Sequence, residues 1–176
     1  MRDLKGLPDL TVALVQTTLA WHDRQANLEH FDVLLEQARG ADLIILPEMF
    51  TTGFAMEAAK QSMPQEDVVA WMHAKAQHTN ALIAGSAALQ TERGPVNRFL
   101  LVEPEGKVHF YDKRHLFRMA DEHHHYEAGH ERVVFEWRGW RILPLVCYDL
   151  RFPVWSRNRN DYDVALYVAN WPAPRS

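Results

Sequence analysis

Short apolar runs alternate with longer amphipathic segments over the first part of the chain. The run LTVALVQ, residues 10–16, is rich in β-branched residues and predicts a buried strand. Apolar residues then recur at helical spacing, which predicts a helix over 28–39 with Asn27 as its cap and Gly40 as its stop. A second helix is predicted over 62–78, and further strands are predicted over 42–50, 81–89, 97–104 and 107–113, with a turn at Gly94-Pro95.

The later part of the chain has a different pattern. Residues 114–131 are polar, rich in histidine and without a clear period. A hairpin is predicted over 133–147, with its turn at Arg138-Gly139. A short helix over 152–160 and a last strand over 163–170 follow.

The apolar strands and the composition indicate one α/β domain. Strands at 42–46, 142–146 and 164–168 are apolar on both faces, and such strands are normally covered on both sides. The chain has 176 residues, 47% hydrophobic and 24% charged, so we expect a single domain over 1–176. Domains rarely finish just after a buried strand, so we expect this domain to be incomplete at its C-terminus.

Charge, apolar run length and cysteine content argue against several classes of partner. The net charge is −4, so there is no basic field to attract a phosphate backbone, and we expect no nucleic-acid partner. No apolar run approaches the about 20 residues that span a bilayer, and the charged N-terminus does not resemble a signal peptide. A single cysteine cannot form an internal disulfide, which favours a cytoplasmic protein.

Three reactive side chains each follow an apolar strand. Glu48 comes directly after LIILP, Lys113 after VHFYD and Cys147 after ILPLV. In open α/β sheets, ligands bind at the carboxyl ends of the strands. If the three strands are neighbours, their side chains meet in one pocket.

The three residue types together suit amide hydrolysis in two covalent steps. A thiol is a nucleophile only as thiolate, so Cys147 with an ordinary pKa of about 8.5 needs a base such as Glu48. Lys113 would favour the thiolate and hold the developing oxyanion. Taken singly, the residues have simpler readings: a buried small hydrophobe for Cys147, a cap for Glu48 and a surface charge for Lys113.

A family resemblance joins the three sites. The stretches LIILPEMFTTGF (43–54), YDKRHLF (111–117) and LVCYDLRFPVWSRN (145–158) resemble the three active-site segments of the nitrilase, or carbon–nitrogen hydrolase, superfamily, in the same order. DKRHLFRMADEH and ANWPAPRS are most similar to bacterial omega-amidases. The resemblance implies an α/β four-layer αββα sandwich, here lacking its C-terminal part. It also implies no metal or organic cofactor, and homodimers of the complete enzyme.

The resemblance also implies residue roles and a substrate class. Glu48 would be the general base, Lys113 the oxyanion-stabilising lysine and Cys147 the nucleophile, with the backbone N–H of Tyr148 as second oxyanion donor. A second glutamate that positions the lysine would be Glu122, with Glu127 as the alternative. The implied substrates are monoamides of dicarboxylic α-keto acids, such as 2-oxoglutaramate, cleaved to the keto acid and ammonia.

Other polar and aromatic residues are candidates for substrate binding. A guanidinium suits a substrate carboxylate, and Arg114, Arg118 and Arg151 are candidates, although an ion pair between Arg151 and Asp149 is an equal alternative. Aromatic residues expected to wall the pocket are Phe50, Phe54, Tyr148 and Trp171.

The histidines at 123–125 raise the question of a metal site. Adjacent histidines on a loop are expected to point in different directions, and the helical HExxH signature is absent, so we expect no metal. A polar lid over the substrate is the favoured interpretation of this segment.

Three alternatives to an omega-amidase stay open. One is another hydrolase of the same superfamily, acting on nitriles, carbamoyl groups or acyl chains. A second is a truncated, non-catalytic relative that serves as a binding or assembly module. A third is a hydrolase that pairs Cys147 with a histidine of the lid, which Glu48 and Lys113 argue against.

Overall fold

The computed structural model describes residues 3–171. Its helices are α1 (Arg24–Gln37), α2 (Gln65–Thr79) and the short α3 (Pro153–Ser156). Its strands are β1 (Val12–Leu14), β2 (Leu43–Ile45), β3 (Leu82–Thr91), β4 (Gly94–Val102), β5 (Val108–Asp112), β6 (Phe135–Trp137), β7 (Trp140–Val146) and β8 (Val164–Val168). Short 3₁₀ segments lie at Met56–Gln61, Arg118–Ala120, Glu122–His124 and Cys147–Arg151.

The strands form two sheets. The first has the order β1-β2-β3-β4-β5, with β1, β2 and β3 parallel and β3, β4 and β5 an antiparallel meander. The second has the order β6-β7-β8, with β7 and β8 parallel and Val146 opposite Val168. The predicted alternation of strand and helix, followed by a meander, is present.

Two apolar clusters define the layers. In one, Phe31 of α1 and Met72 of α2 pack on Ile44 and Ile83 of the first sheet. In the other, apolar residues of the two sheets pack face to face: Leu43, Leu82, Phe99, Leu101, Ile142, Leu145, Val146 and Leu166. The order of layers is therefore helices, first sheet, second sheet, and it explains why β2, in the middle layer, is apolar on both faces.

The first helix begins earlier than the sequence pattern predicts. Asp23 is the N-cap, because its carboxylate accepts a hydrogen bond from the N–H of Ala26. Asn27 lies inside α1, where its amide bonds the backbone of Ala20 and the carbonyl of Thr51 instead. Its predicted capping role is wrong, because this buried side chain fastens two loops to the helix.

Several predicted elements are shorter or shifted. The run predicted as a strand over 42–50 ends at Ile45, because the chain turns at Pro47. Gly94 and Pro95 lie in β4 rather than in a turn. They pair with Thr91 and Gln90 of β3. The helix predicted over 152–160 consists only of α3, which follows the 3₁₀ turn at Cys147–Arg151.

Candidate active site

Glu48 stands where β2 leaves the first sheet. Pro47 precedes it, and Met49 has a left-handed backbone (φ 54°) held by a hydrogen bond from its N–H to Ser86 Oγ (3.1 Å). Gly85 lies under this turn, where an added Cβ would be 2.9 Å from Leu46 Cβ. The close approach of β3 to the turn that carries Glu48 therefore requires glycine at position 85.

Lys113 links two buried carboxylates. Its Nζ lies 2.9 Å from Glu48 Oε1, and 2.9 and 3.1 Å from the two oxygens of Glu122. All three side chains are fully buried. Lys113 follows β5, and its N–H donates to the carbonyl of Asn97 on β4, so sheet register places the ammonium. Charge-assisted bonds of this kind are the strong ones, and here they compensate for burial.

Asn97 holds the two carboxylates together, a role that the sequence does not reveal. Its Nδ2 donates to Glu48 Oε1 at 2.9 Å and lies 3.3 Å from Glu122 Oε1. The side chain is fully buried in the middle of β4. The only available signal was an asparagine inside an apolar strand, where this residue type is depleted.

Cys147 sits on a strained turn at the end of β7. Its φ is 43°, which is rare for a residue with a side chain, and it opens a 3₁₀ turn. Tyr148 is the second residue of this turn, so the turn's own hydrogen bonds do not use its N–H. The charges of Glu48 and Lys113 both act on the pKa of the Cys147 thiol.

The buried Asp149 carboxylate fixes this turn. One oxygen accepts from the Tyr111 hydroxyl at 2.7 Å and from the N–H of Val146 at 3.0 Å. The other accepts from the N–H and Nδ1 of His115, at 3.0 and 2.7 Å. These donors flank both Cys147 and Lys113 in the chain, so Asp149 ties the turn that carries Cys147 to the segment that carries Lys113. The predicted alternative of an ion pair with Arg151 is wrong, since the carboxylate is bound to these donors.

The charges of the cluster set the protonation of the thiol. Burial raises the pKa of Cys147 well above its ordinary value, the Glu48 carboxylate raises it further, and Lys113 opposes both. Burial alone lowers the pKa of Lys113, but Glu48 and Glu122 outweigh it, and the net direction is upward. Burial also raises the pKa of Glu122, against the effect of Lys113. The thiol is therefore protonated at neutral pH and needs a base in contact with it.

The structure distinguishes the two candidates for the second glutamate. Glu122 contacts Lys113, and its Oε2 also accepts the N–H of Phe117 at 2.6 Å. Glu127 lies beside the start of β4, and its N–H donates to the carbonyl of Pro95 in that strand. Glu122 therefore belongs to the cluster and Glu127 does not.

The predicted substrate-binding residues divide into two groups. The Phe54 ring covers the Lys113 ammonium, with 5.2 Å from Nζ to the ring centroid, and Tyr148 lines a cavity of about 560 Å³. The guanidinium carbon of Arg151 lies 6.0 Å from the ring centroid of Trp171, and neither residue lines that cavity. Trp171 instead borders a second cavity of about 380 Å³. Their predicted contact with substrate stays a prediction.

The histidine-rich segment is more ordered than the sequence suggests. The rings of His123 and His124 lie 3.9 Å apart, so the expectation that adjacent histidines point in different directions is wrong here. With Asp121 they form one group of possible metal ligands, whose atoms lie within 4.8 Å of one another. Burial lowers the pKa of His123, as do His124 and the guanidinium of Arg118. That nearby cation disfavours a metal ion at this place.

The fold and the cluster together define a class of hydrolase. The chain matches the carbon-nitrogen hydrolase family over residues 11–175, and it belongs to that family. Among curated proteins it is 74% identical over 170 residues to omega-amidase YafV of Escherichia coli (strain K12), covering 97% of this chain and 66% of that protein. It is 31% identical to 2-oxoglutaramate amidase of Bacillus subtilis (strain 168), covering 94% of this chain and 66% of that protein.

A solved structure supports the same assignment. The chain superposes with a TM-score of 0.92 on XC1258 from Xanthomonas campestris, a CN-hydrolase superfamily protein with an arsenic adduct in its active site. The two are 47% identical, and the match covers 96% of this chain and 67% of that one. The predicted nitrilase-type fold is confirmed. The chain spans about two thirds of the length of the curated relatives that it matches.

Proposed function

We propose that the protein is an omega-amidase, which hydrolyses the terminal amide of α-keto acid monoamides such as 2-oxoglutaramate and releases ammonia. One observation supports this most strongly: the Lys113 ammonium lies 2.9 Å from both Glu48 and Glu122, beside the Cys147 thiol. Base, oxyanion donor and nucleophile are thus in one buried cluster. The similarity to relatives named for omega-amidase and 2-oxoglutaramate amidase activity supports the substrate class.

The first half of the reaction forms a thioester. Glu48 takes the proton of the Cys147 thiol while Sγ attacks the amide carbon, and the carbonyl π electrons move to the oxygen. Lys113 Nζ and the N–H of Tyr148 hold that oxyanion. The oxyanion then collapses, the C–N bond breaks, and protonated Glu48 gives its proton to the leaving nitrogen, so that ammonia departs.

The second half regenerates the thiol. Glu48 removes a proton from water as its oxygen attacks the thioester carbon, and Lys113 again holds the oxyanion. The C–S bond breaks, Cys147 recovers a proton from Glu48, and the dicarboxylic keto acid leaves. Glu122 holds Lys113 in place throughout, and Asn97 holds Glu48.

The test is an assay of the purified 176-residue chain for folding and for ammonia release from 2-oxoglutaramate. Cys147→Ala should abolish ammonia release with the fold intact by circular dichroism, and Glu48→Gln should do nearly the same. Glu57→Gln, an exposed acidic residue, is the matched control and should leave turnover unchanged. A folded chain without turnover would favour the alternative of a non-catalytic binding or assembly module.

The cellular location, the oligomeric state and the number of domains are further predictions. Within residues 3–171, no helix has the length and apolar character to cross a membrane. A cytoplasmic location, a homodimer of the complete enzyme and a single domain over 1–176 remain predictions. Light scattering coupled to size-exclusion chromatography tests the homodimer, and limited proteolysis tests the single domain.

A further inference from the structure

A cavity of about 560 Å³ is lined by the segment that follows Lys113 and by the turn that follows Cys147. Its wall includes three basic residues, two tyrosines and one acidic residue: Arg114, Arg118, His123, Tyr126, Tyr148 and Glu127. Tyr148 directly follows Cys147 in the chain, so the cavity reaches the turn that carries this cysteine. This volume suits a small organic ligand, and the basic groups suit an anionic one.

The hydroxyl of Tyr126 has no hydrogen-bond partner among residues 3–171. The side chain is 4% exposed, and its oxygen is buried. A buried hydroxyl without a partner is rare and calls for an explanation. Tyr126 lines the cavity, and the charges of Glu122, Glu48 and Lys113 act on the pKa of its hydroxyl.

The charges of Glu122 and Glu48 determine which ligand group can be the hydrogen-bond partner of the Tyr126 hydroxyl. Burial raises the pKa of Tyr126, and the charges of Glu122 and Glu48 raise it further, so the hydroxyl keeps its proton and is a donor. A third carboxylate at this position would be repelled by Glu122 and Glu48. A neutral carbonyl oxygen is the ligand group that fits.

Arg118 is the guanidinium in this cavity that is available to an anion. Within residues 3–171, its guanidinium makes no hydrogen bond or ion pair, and its charge reaches His123 across the cavity wall. The Arg114 guanidinium already has partners, because it donates hydrogen bonds to the carbonyl of Gly129 and to Nδ1 of His130. A carboxylate that enters the cavity therefore meets Arg118.

We propose that this cavity binds the α-keto acid end of the substrate, with the Tyr126 hydroxyl donating to the 2-oxo oxygen and Arg118 binding the adjacent carboxylate. The inference rests on the proposed function, since it concerns the end of the substrate that does not react. In 2-oxoglutaramate the oxo group lies three carbons from the amide carbon, so the reacting amide can reach Cys147 while the other end fills the cavity. Tyr126 and Arg118 are then specificity-determining residues.

The single cysteine allows a direct binding test on the 176-residue chain. Iodoacetamide labels only Cys147, and bound 2-oxoglutarate, which carries the same keto acid end, should slow that labelling. Glutarate lacks the 2-oxo group and serves as the matched probe. Tyr126→Phe should weaken protection by 2-oxoglutarate about tenfold, the effect of one lost hydrogen bond, and leave protection by glutarate unchanged. Arg118→Gln should weaken protection by both, and Arg159→Gln, an exposed arginine outside the cavity, by neither.

Other outcomes would overturn the inference in distinguishable ways. Equal protection of Tyr126→Phe and the unaltered chain by 2-oxoglutarate would exclude the hydroxyl contact. A lower thermal midpoint for Tyr126→Phe would show that the hydroxyl already has a partner, against the premise. If the chain releases ammonia from 2-oxoglutaramate but 2-oxoglutarate never protects Cys147, the subsite is wrong and the proposed function stands. If there is neither turnover nor protection, both fail.

Discussion

The Asp149 carboxylate accepts a hydrogen bond from Nδ1 of His115 at 2.7 Å, although 34 residues separate the two in the chain. Asp149 belongs to the turn that carries Cys147, and His115 lies two residues beyond Lys113. The bond therefore joins the ends of strands from different sheets, β7 and β5. The imidazole also stacks on Phe152, with ring centroids 3.7 Å apart, which makes this link rigid.

Replacing Asp149 should loosen the turn that carries Cys147. Asp149→Asn keeps the shape but removes the charge and two acceptor sites, so buried donors lose their partner. We expect the free energy of unfolding in urea to fall by about 2 kcal/mol. Asp161→Asn is the matched control, because Asp161 pairs with Arg132 nearer the surface, and it should cost less than about 1 kcal/mol. Equal effects of the two changes would contradict the anchoring role.

Glu48, Lys113 and Cys147 stand out in the sequence because each follows an apolar strand, and their catalytic roles stay predictions. The condition that their strands be neighbours is not met: β2 and β5 are separated by β3 and β4, and β7 lies in the other sheet. The packing of the two sheets against each other, which no local pattern encodes, brings these strand ends together. Most strands and both long helices were predicted, since periodicity is local. The boundaries were less accurate, because Asp23 rather than Asn27 starts α1 and Pro47 stops β2 early.

Asn97 and Tyr126, unlike Glu122, are not visible in the sequence as residues near the cluster. Asn97 reaches Glu48 across 49 residues, only because β4 pairs with β3 and β5 in one register. Tyr126 stands out only through a hydroxyl that lacks a hydrogen-bond partner within the described residues 3–171. Such long-range contacts depend on sheet pairing, which no short motif encodes.

The turn that carries Glu48 should not tolerate a larger residue at position 85. Gly85→Ala places a Cβ 2.9 Å from Leu46 Cβ and 3.1 Å from Phe50 Cδ1. We expect a loss of about 1–3 kcal/mol in the free energy of unfolding, typical of overpacking. Leu46→Gly removes the Cβ that makes the closest contact, so the double variant should be more stable than the sum of the single changes by at least about 0.5 kcal/mol. Additive losses would show that the close approach is not the cause.

A charge at position 97 should make folding depend on pH. Asn97→Asp puts a third carboxyl beside Glu48 and Glu122, where burial and both charges raise its pKa. A raised carboxyl pKa favours the folded state at low pH, so stability relative to the unaltered chain is lost as pH rises through that pKa. We expect a deficit of about 3 kcal/mol at pH 8 that shrinks toward pH 5. Asn158→Asp, on the surface, is the control, and a deficit that grows on acidification would contradict the assigned contacts.

The pH dependence of Cys147 alkylation reports the charges around it. Since burial and Glu48 raise the pKa of the thiol, iodoacetamide should label the folded chain at pH 8 more than tenfold more slowly than the denatured chain. The rate should keep rising through pH 10 without a plateau. Glu48→Gln removes a negative charge and leaves the Lys113 ammonium, so the inflection of the rate profile should move to lower pH. Glu57→Gln changes an exposed carboxylate and should leave the profile unchanged. An inflection near the ordinary thiol pKa in the unaltered chain, or one that rises in Glu48→Gln, would show that Glu48 does not act on this sulfur.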